Sequence, residues 1–342
     1  MKYSVLAKAP TRIDLAGGTI DLWPIHQMLE KRATVNIGLS LHAEVEISST
    51  PSDSFHLESV DQKLKVVGNF EEVVQNSKLV ILSLMLKAVW KKEWGGLKIT
   101  TRATSPAGAG LGGSSCLAVA TAGAMLRMRK LVAKLPELEE NALVELCKDV
   151  ESNIIKVPAG CQDYWGAARG GVNIITFPPG QTLVQTLTGK LLHKLNENLI
   201  VCYSGQSRAS GINNWAIFKK FIDGEKEMVA GLNKIGALAE ESAEYAREEN
   251  MEKLLKASGE EWQTRIKLFP QIETDHTKKL SKIANYAGAT LGRVCGAGGG
   301  GVMVFFAPPA KLSHIKTQLS EAGGQVMDAK LCEGGLRVSH HG

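Results

Sequence analysis

Residues 105–115 read Ser-Pro-Ala-Gly-Ala-Gly-Leu-Gly-Gly-Ser-Ser, and they are the most informative stretch of the chain. Residues 97–104 before them have the composition of a strand, and the small and aliphatic residues after them, up to about Lys130, predict a helix. Glycines let backbone N–H groups approach a phosphate, and a helix that begins just after them adds its dipole and its free N–H groups. A plain strand-to-helix turn, the alternative, needs fewer than four glycines and two serines in eight residues. The stretch therefore predicts a phosphate-binding loop.

Two common phosphate-binding motifs fit this loop poorly. Gly108 and Gly113 have the spacing of a Walker A motif, but Ser114 stands where its lysine would be. The loop also matches Gly-x-Gly-x-x-Gly, yet a dinucleotide-binding domain places an acidic residue about 20 positions further on. Here the first carboxylate after the loop is Glu137, which follows a basic and apolar stretch. A dehydrogenase is therefore disfavoured.

Two more glycine-containing segments flank this loop along the chain. Residues 8–21 read Lys-Ala-Pro-Thr-Arg-Ile-Asp-Leu-Ala-Gly-Gly-Thr-Ile-Asp, and residues 295–302 read Cys-Gly-Ala-Gly-Gly-Gly-Gly-Val. Five glycines in six residues carry a large backbone-entropy cost, which indicates a geometric demand such as close approach to a ligand. A flexible linker is the alternative, but the apolar strand predicted at Val302–Phe306 follows directly.

The composition bounds the class of protein. With 342 residues, 44% of them hydrophobic and 22% charged, the chain predicts a globular protein of one large domain or two closely packed domains. Its 40 basic and 35 acidic residues are interleaved, so no basic stripe indicates a nucleic-acid partner. We found no leader-like segment and no apolar run of about 20 residues, which predicts a cytoplasmic protein without a membrane partner. Six cysteines without a Cys-x-x-Cys pair predict reduced thiols.

The coarse secondary structure is strand-first and then helix-heavy. Hydrophobic spacing predicts helices over residues 78–91, from the loop to about 130, over 138–155, through much of 213–286 and near 310–322. Strands are predicted at 4–7, 34–39, 43–48, 97–104, 172–177, 199–203, 302–306 and 325–331. This order predicts an α+β protein. We place the domains at 1–185 and 186–342.

Taken in order, the three glycine-containing segments resemble the signatures of the GHMP kinase superfamily, with Pro-x-x-x-Gly-Leu-Gly in the middle segment. The resemblance runs from Lys8 to the strand at Val302. It implies an N-terminal ATP-binding domain like the second domain of ribosomal protein S5, at 1–185. It also implies a ferredoxin-like C-terminal domain at 186–342 and an active site in the cleft between the two.

The resemblance also implies ATP and Mg²⁺ as cofactors and assigns positions to them. Ser114 corresponds to a hydroxyl ligand of Mg²⁺, and Glu151 to a helical glutamate that faces the metal. Glu151 precedes Asp163 by twelve positions, as in galactokinase-like members. The ATP-binding positions are Pro106, Gly108, Gly110, Leu111, Gly112, Gly113, Ser114 and Ser115.

Asp163 and Arg12 are the implied catalytic pair. Phosphoryl transfer needs charge neutralisation at the γ-phosphate and a carboxylate near the attacking hydroxyl, so both residue types suit the chemistry. An arginine beside an aspartate also keeps that aspartate ionised. An ordinary ion pair between Arg12 and Asp163, and a solvated helix face for Glu151, are the structural alternatives.

Within the superfamily the chain is most similar to sugar 1-kinases, especially those acting on D-glycero-D-manno-heptose 7-phosphate. The resemblance implies a sugar or sugar-phosphate acceptor, phosphorylated at its anomeric hydroxyl, and a monomer or homodimer. Asp14 departs from the pattern, because it replaces a neutral residue there. The implied acceptor-binding residues are Gly17, Gly18, Thr19, Asp21, Asp163, Arg208, Gly298 and Gly299.

Three rival interpretations stay open. Mevalonate-type kinases share the fold but carry Gly-Lys and Gly-Glu-His signatures that this chain lacks. A diphosphomevalonate decarboxylase uses ATP on the same scaffold, although its signature near residue 12 differs. A non-catalytic sugar-binding or nucleotide-binding protein is the third, and the presence of Arg12, Ser114, Glu151 and Asp163 argues against it.

Overall fold

The computed structural model describes residues 3–106, 108–136, 138–206 and 213–341. Its strands, in chain order, are β1 Ser4–Ala16, β2 Ala33–Ser49, β3 Phe55–Ser59, β4 Leu64–Gly68, β5 Leu97–Ala103, β6 Val172–Thr176, β7 Leu183–Leu187, β8 Leu199–Tyr203, β9 Leu291–Val294, β10 Val302–Phe306, β11 Gln325–Met327 and β12 Arg337–His341. Its helices are α1 Ile25–Met28, α2 Phe70–Val74, α3 Val80–Val89, α4 Gly113–Ala133, α5 Glu140–Ile155, α6 Gln162–Arg169, α7 Lys190–Glu197, α8 Asn214–Ile222, α9 Lys226–Arg247, α10 Met251–Leu268, α11 Asp275–Tyr286 and α12 Pro309–Glu321.

The larger of two sheets is built around the long strands β1 and β2. Its order in the described ranges is β12-β1-β2-β5-β3-β4, and β6 and β7 extend it beside the first half of β2. Strand β1 alternates between buried and more accessible residues at first, but every residue from Ala9 to Ala16 is buried. A strand whose residues are buried on both faces must be covered on both faces. Helices α4 and α6 and helices α9 and α10 all contact β1, and the site residues of β1 lie in this covered half.

The smaller sheet has the order β11-β8-β10-β9 and is antiparallel throughout. Its chain order is strand β8, helices α8 to α11, strands β9 and β10, helix α12 and strand β11. A β-α-β-β-α-β order of this kind is the ferredoxin-like arrangement. The predicted α+β class and the ferredoxin-like C-terminal part are confirmed.

Among the residues that the structure describes, apolar side chains form three buried clusters. One lies between the outer strands of the large sheet and helices α3 to α6, and another joins the inner half of β1 and β2 to β8, β10, α9 and α10. The last packs the small sheet against helices α8 to α12 and residues 20–29. The second of these clusters therefore connects the two sheets beneath Ala9–Ala16, the fully buried half of β1. In the described ranges, no helix combines the length and the apolar character that crossing a membrane requires.

Several predicted elements are confirmed, and others differ for physical reasons. The predicted strands at 199–203 and 302–306 match β8 and β10, and helix α5 ends ahead of Pro158 as expected. The predicted strands at 34–39 and 43–48 are one strand, β2, and the strand predicted at 325–331 stops at Met327. Strands β7 and β12 were not predicted. Each lies at an edge of the sheet beside one neighbour, so its sequence is only weakly apolar and gives little strand signal.

The predicted domain boundary at 185/186 falls inside strand β7, which pairs with β6 in the large sheet. Strand β12, at the far end of the chain, also joins that sheet by pairing with β1. Sheet membership thus favours a boundary after Leu187, with β12 assigned to the N-terminal unit. The division into domains stays a prediction.

Candidate active site

The glycine loop lies between β5 and the N-terminus of α4, as the sequence predicts. Gly108, Gly110 and Gly112 have φ values of 69°, 78° and 71°, a region that strains any residue with a Cβ. Helix α4 runs for 21 residues from Gly113, and no side chain caps its first turn. The first N–H groups of a helix have no partner within it, so they are free to bind an anion. The loop and the start of α4 are therefore suited to bind a phosphate group.

The C-terminal glycine run packs against the back of this loop. A Cβ on Gly296 would lie 2.5 Å from the Gly110 carbonyl oxygen, and one on Gly301 would lie 2.6 Å from the Ala109 oxygen. The Val302 N–H also donates to the Ala109 oxygen over 2.7 Å. The close approach that these glycines permit is therefore to the phosphate loop itself.

Gly298 and Gly299, predicted to bind the acceptor, face another way. The Gly299 N–H donates to the Ile272 oxygen over 2.9 Å, and a Cβ on Gly298 would lie 2.5 Å from the Ile272 Cβ. In the described structure, Gly296 and Ala297 line the adjacent cavity instead.

That cavity, of about 840 Å³, brings most of the predicted site residues together. Gly17 and Leu111 are outside its wall, since Gly17 packs against the Ala33 carbonyl and Leu111 is fully buried. Arg208 lies outside the described residues. The predicted residues that line the cavity are Arg12, Gly18, Thr19, Asp21, Pro106, Gly108, Gly110, Gly112, Gly113, Ser114, Ser115, Glu151 and Asp163.

Arg12, on β1, and Asp163, in the first turn of α6, form the ion pair expected from the sequence. The Arg12 Nε and Nη2 atoms lie 2.8 and 2.7 Å from Asp163 Oδ1, and Arg12 Nη1 donates to the Gly110 oxygen over 2.9 Å. The Arg12 side chain is 3% exposed and that of Asp163 is 29% exposed. Burial alone would lower the Arg12 pKa, but Asp163 and Asp14 raise it above its ordinary value. The guanidinium thus links the carboxylate to the phosphate loop.

Two glycines make room for this pair. A Cβ on Gly166, one turn into α6, would lie 2.7 Å from the Arg12 Cβ. A Cβ on Gly112 would lie 3.5 Å from Asp163 Oδ2, which places that oxygen beside the loop at the cavity wall. Both Arg12 contacts use Oδ1, so Oδ2 is available to a ligand hydroxyl.

The Asp21 side chain lies close to this pair, because it contacts the first residue of α6, the helix that carries Asp163. Asp21 is 4% exposed, and its carboxylate accepts a hydrogen bond from the Gln162 N–H over 3.0 Å. A Cβ on Gly160 would lie 2.2 Å from Asp21 Oδ2, so only glycine permits this approach. Burial raises the pKa of Asp21 to about 6, although the Gln162 N–H opposes the shift. Asp21 and Asp163 therefore place two carboxylates on the cavity wall beside the start of α6, which we call the acceptor side because both residues were predicted to bind the acceptor.

Glu151 lies beside the glycine loop and the start of α4, where it was predicted to face a metal. Its Oε2 accepts from Ser115 Oγ over 3.3 Å and from the Tyr164 hydroxyl. Ser115 is thus bonded to Glu151, while Ser114, the predicted hydroxyl ligand of Mg²⁺, is exposed on the cavity wall. Burial raises the pKa of Glu151, and the hydroxyl bonds oppose that shift only in part.

These side chains fit a metal that is also held by phosphates. Mg²⁺ is usually bound by one or two carboxylates together with phosphate oxygens and water. Among the described residues, no group of three His, Cys, Asp or Glu side chains converges on one point. Glu151 and Ser114 could therefore supply the protein's share of a Mg²⁺ site at the loop.

A buried charge cluster that was not predicted from the sequence lies beneath the acceptor side. We call it the Asp14 cluster, and its members are Asp14, Glu261, Arg265 and Arg293. Asp14 Oδ2 lies 3.0 Å from both Arg265 Nη1 and Arg293 Nη2, and Glu261 Oε2 lies 3.2 Å from Arg293 Nη1. Burial alone would raise the Asp14 pKa, yet Arg293, Arg265 and Arg12 hold it at about 2. Arg265 also lines the cavity.

A weak signal for this cluster was present in the sequence. Asp14 departs from the sugar 1-kinase pattern, which has a neutral residue at that position. A carboxylate that is buried requires cations nearby. Glu261 and Arg265 are four residues apart on α10, but that spacing is also typical of solvent-exposed helix faces. Their position could not be inferred without the packing of α10 against β1.

Comparison with known proteins agrees with this architecture. The family model described as GHMP kinases N terminal domain matches residues 79–171, and the model described as GHMP kinases C terminal matches residues 242–325. Together the two matches cover just over half of the chain.

Full-length relatives carry several kinase names. The chain is 23% identical to a D-glycero-alpha-D-manno-heptose 7-phosphate kinase of Campylobacter jejuni, and the match covers 98% of each chain. It is 25% identical to a mevalonate kinase of Pyrococcus abyssi, with 99% of this chain and 98% of the relative covered.

The galactokinase of Lactococcus lactis, solved with galactose, has the same fold. Its structure superimposes with a TM-score of 0.76 and 15% sequence identity, covering 98% of this chain and 95% of that one. The matched domains and the phosphate loop lead to one conclusion: the chain belongs to the GHMP kinases and is a small-molecule kinase.

Proposed function

We propose that the protein transfers the γ-phosphate of MgATP to a hydroxyl of a sugar or sugar phosphate, at the anomeric position, as in D-glycero-D-manno-heptose 7-phosphate. The position of Asp163 is the observation that carries this proposal. Its Oδ1 is held by Arg12, and its Oδ2 lies beside Gly112, between the phosphate loop and the acceptor-side residues.

The residues around the cavity have separate roles in the proposed reaction. The glycine loop and the start of α4 would hold the triphosphate, and Arg12 lies beside the loop at Gly110, where it can offset charge on the transferring group. Bound Mg²⁺, with Glu151 and Ser114 as its protein ligands, would neutralise phosphate charge. Asp163 Oδ2 would accept a hydrogen bond from the attacking hydroxyl and orient it.

The acceptor side suits a polyhydroxylated molecule. Asp21 is a buried carboxylate that can accept hydrogen bonds from neighbouring hydroxyl groups, and Thr19 and Gln162 add neutral polar groups to the same wall. A sugar offers several such hydroxyls, whereas mevalonate offers two hydroxyls and a carboxylate. Two acidic side chains on this wall therefore favour a sugar over mevalonate, which is the second candidate because of the mevalonate kinase relatives.

A coupled assay of ADP release, run with a panel of free sugars, sugar phosphates and mevalonate, tests the proposal. We expect release that requires Mg²⁺ and is stimulated by at least one sugar or sugar phosphate. The variant Asp163→Asn should lose this activity, while Asp149→Asn, an exposed aspartate on α5, should retain it. Stimulation by mevalonate alone, or release of carbon dioxide from a diphosphorylated acceptor, would contradict the proposal.

A further inference from the structure

We propose that Asp14, held by Arg265 and Arg293, is a positioning residue that fixes the catalytic guanidinium of Arg12. This inference rests on the proposed function, because it gives Arg12 a role in phosphoryl transfer. It concerns a buried carboxylate whose counter-ions, Arg265 and Arg293, come from α10 and β9.

The two oxygens of Asp14 serve different partners. Oδ2 lies 3.0 Å from both Arg265 Nη1 and Arg293 Nη2, so it is held between two guanidinium groups. Oδ1 accepts a hydrogen bond from the Gly296 N–H over 2.8 Å and lies 4.0 Å from Arg12 Nη1. The side chain has no exposed surface. Asp14 therefore has one orientation, and that orientation is set from the C-terminal part of the chain.

A closed circuit of contacts connects Asp14 to Arg12. Gly296, bonded to Asp14, has its backbone against Gly110, where a Cβ would lie 2.5 Å from the carbonyl oxygen. That same Gly110 oxygen accepts a hydrogen bond from Arg12 Nη1 over 2.9 Å. Arg12 and Asp14 are two residues apart on β1. Strand β1 thus holds the glycine run at 296 and the phosphate loop at 110 together, with Arg12 on the site side.

Arg265 extends the circuit to the acceptor side. Its Nη2 lies 3.4 Å from Thr19 Oγ1 and 3.5 Å from the Gly296 oxygen, and it lines the cavity. The same guanidinium therefore touches Asp14, the glycine run and the acceptor-side loop. If Asp14 loses its charge, Arg265 and Arg293 lose their shared partner, and the geometry at Arg12 and at Thr19 should relax together.

A purely structural role is the competing explanation. Buried ion clusters often add little to stability, but removal of one partner leaves an uncompensated charge and is strongly destabilising. A fall in activity of Asp14→Asn alone would therefore not distinguish positioning from partial unfolding. The test must ask whether Asp14 acts through Arg12.

A double-mutant cycle on turnover asks this question directly. Asp14→Asn and Arg12→Met are measured singly and together on the full chain, with folding confirmed by thermal unfolding at the assay temperature. Coupled residues give strongly non-additive effects. We expect Asp14→Asn alone to lower kcat by roughly 10- to 100-fold, by analogy with the range found for partners that orient the ligands of a metal. In the Arg12→Met background, Asp14→Asn should lower kcat by less than about threefold.

Two further variants keep the test decisive. If Asp14→Asn does not fold, the charge-balanced pair Asp14→Asn with Arg293→Met replaces it in the cycle. Arg247→Met, an exposed arginine bonded to Gln185 on the far end of α9, is the matched control and should leave turnover unchanged. Equal loss of kcat in the wild-type and Arg12→Met backgrounds would overturn the proposal.

Hydrogen exchange supplies a readout that needs no acceptor. Because Asp14 accepts the Gly296 N–H, Asp14→Ala, which removes both acceptor oxygens, should speed amide exchange in the peptide covering 295–301 of the folded protein, whereas Arg247→Met should not. Unchanged exchange in that peptide would overturn the link between Asp14 and the glycine run. If the wild-type protein releases no ADP with any acceptor, the proposed function fails, and this exchange result still reports on the link itself.

Discussion

Replacing Asp163 with asparagine separates the two oxygens of one carboxylate. Both Arg12 contacts, at 2.8 and 2.7 Å, use Oδ1, and an asparagine oxygen can take that position and keep accepting from Arg12. The amide nitrogen then replaces Oδ2, which turns the group beside Gly112 from an acceptor into a donor. Asp163→Asn should therefore leave the fold intact while it removes the group that orients the attacking hydroxyl.

The magnitudes follow from this geometry. Arg12 is 3% exposed and Asp163 29% exposed, and the asparagine keeps a neutral acceptor for Arg12, so weakening this ion pair should cost about 1–3 kcal/mol of stability. Turnover should fall by about 10²- to 10⁴-fold, the range for loss of general base catalysis. The phosphate loop is unaltered, so the MgATP dissociation constant should stay within about threefold.

Steady-state ADP release, calorimetric titration with MgATP and thermal unfolding measure these three quantities. Asp149→Asn, the same chemical change at an exposed position on α5, controls for loss of charge alone. If folded Asp163→Asn keeps turnover within about tenfold of the wild type, Asp163 is only the structural partner of Arg12. The assignment of the catalytic carboxylate would then be refuted.

Three further changes test other parts of the site. Asp21 is buried and its pKa is raised to about 6, so its ionisation should lower the free energy of unfolding as pH rises from about 4 to 6. In chemical denaturation, Asp21→Asn should increase the free energy of unfolding by at most about 3 kcal/mol above pH 6 and leave it unchanged below pH 4. The same variant should raise the Michaelis constant for the acceptor. Glu151→Gln should raise the Mg²⁺ concentration for half-maximal rate by about tenfold with little change in acceptor affinity, and an unchanged Mg²⁺ titration would place the metal elsewhere. Gly166→Ala should lower the free energy of unfolding by about 1–3 kcal/mol and lower turnover, because the added Cβ would clash with Arg12. Gly259→Ala is the control: its Cβ would lie 3.6 Å from Leu291, so it should leave the free energy of unfolding unchanged or raise it in the same unfolding assay.

Local sequence rules predicted the elements around the phosphate loop well. The loop carries its own signals, since glycines at positions of positive φ and a helix start are local properties of residues 108–113. The pairing of Arg12 with Asp163 came from the resemblance to a family. A separation of 151 positions leaves no periodic pattern to read.

Contacts between distant segments were beyond the reach of the sequence. The glycines at 296–301 indicated a close approach, but whether to a ligand, to Ile272 or to the phosphate loop depends on how β9 and β10 are placed. Arg265 and Arg293 carry ordinary patterns for a helix and a short strand, and only packing against β1 brings them to Asp14. The hydrogen bond between Ser115 and Glu151 was likewise not predicted, because it depends on how α4 packs against α5.

Identifying the phosphorylated atom tests the central claim most directly. The wild-type protein is incubated with MgATP and the acceptor that best stimulates ADP release, and the product is examined by phosphorus and proton NMR. We predict one new phosphate ester per ADP, with its phosphorus coupled to the anomeric proton of a sugar or sugar phosphate. A phosphate on the terminal hydroxyl of mevalonate, or ADP formed without any phosphorylated acceptor, would contradict the account.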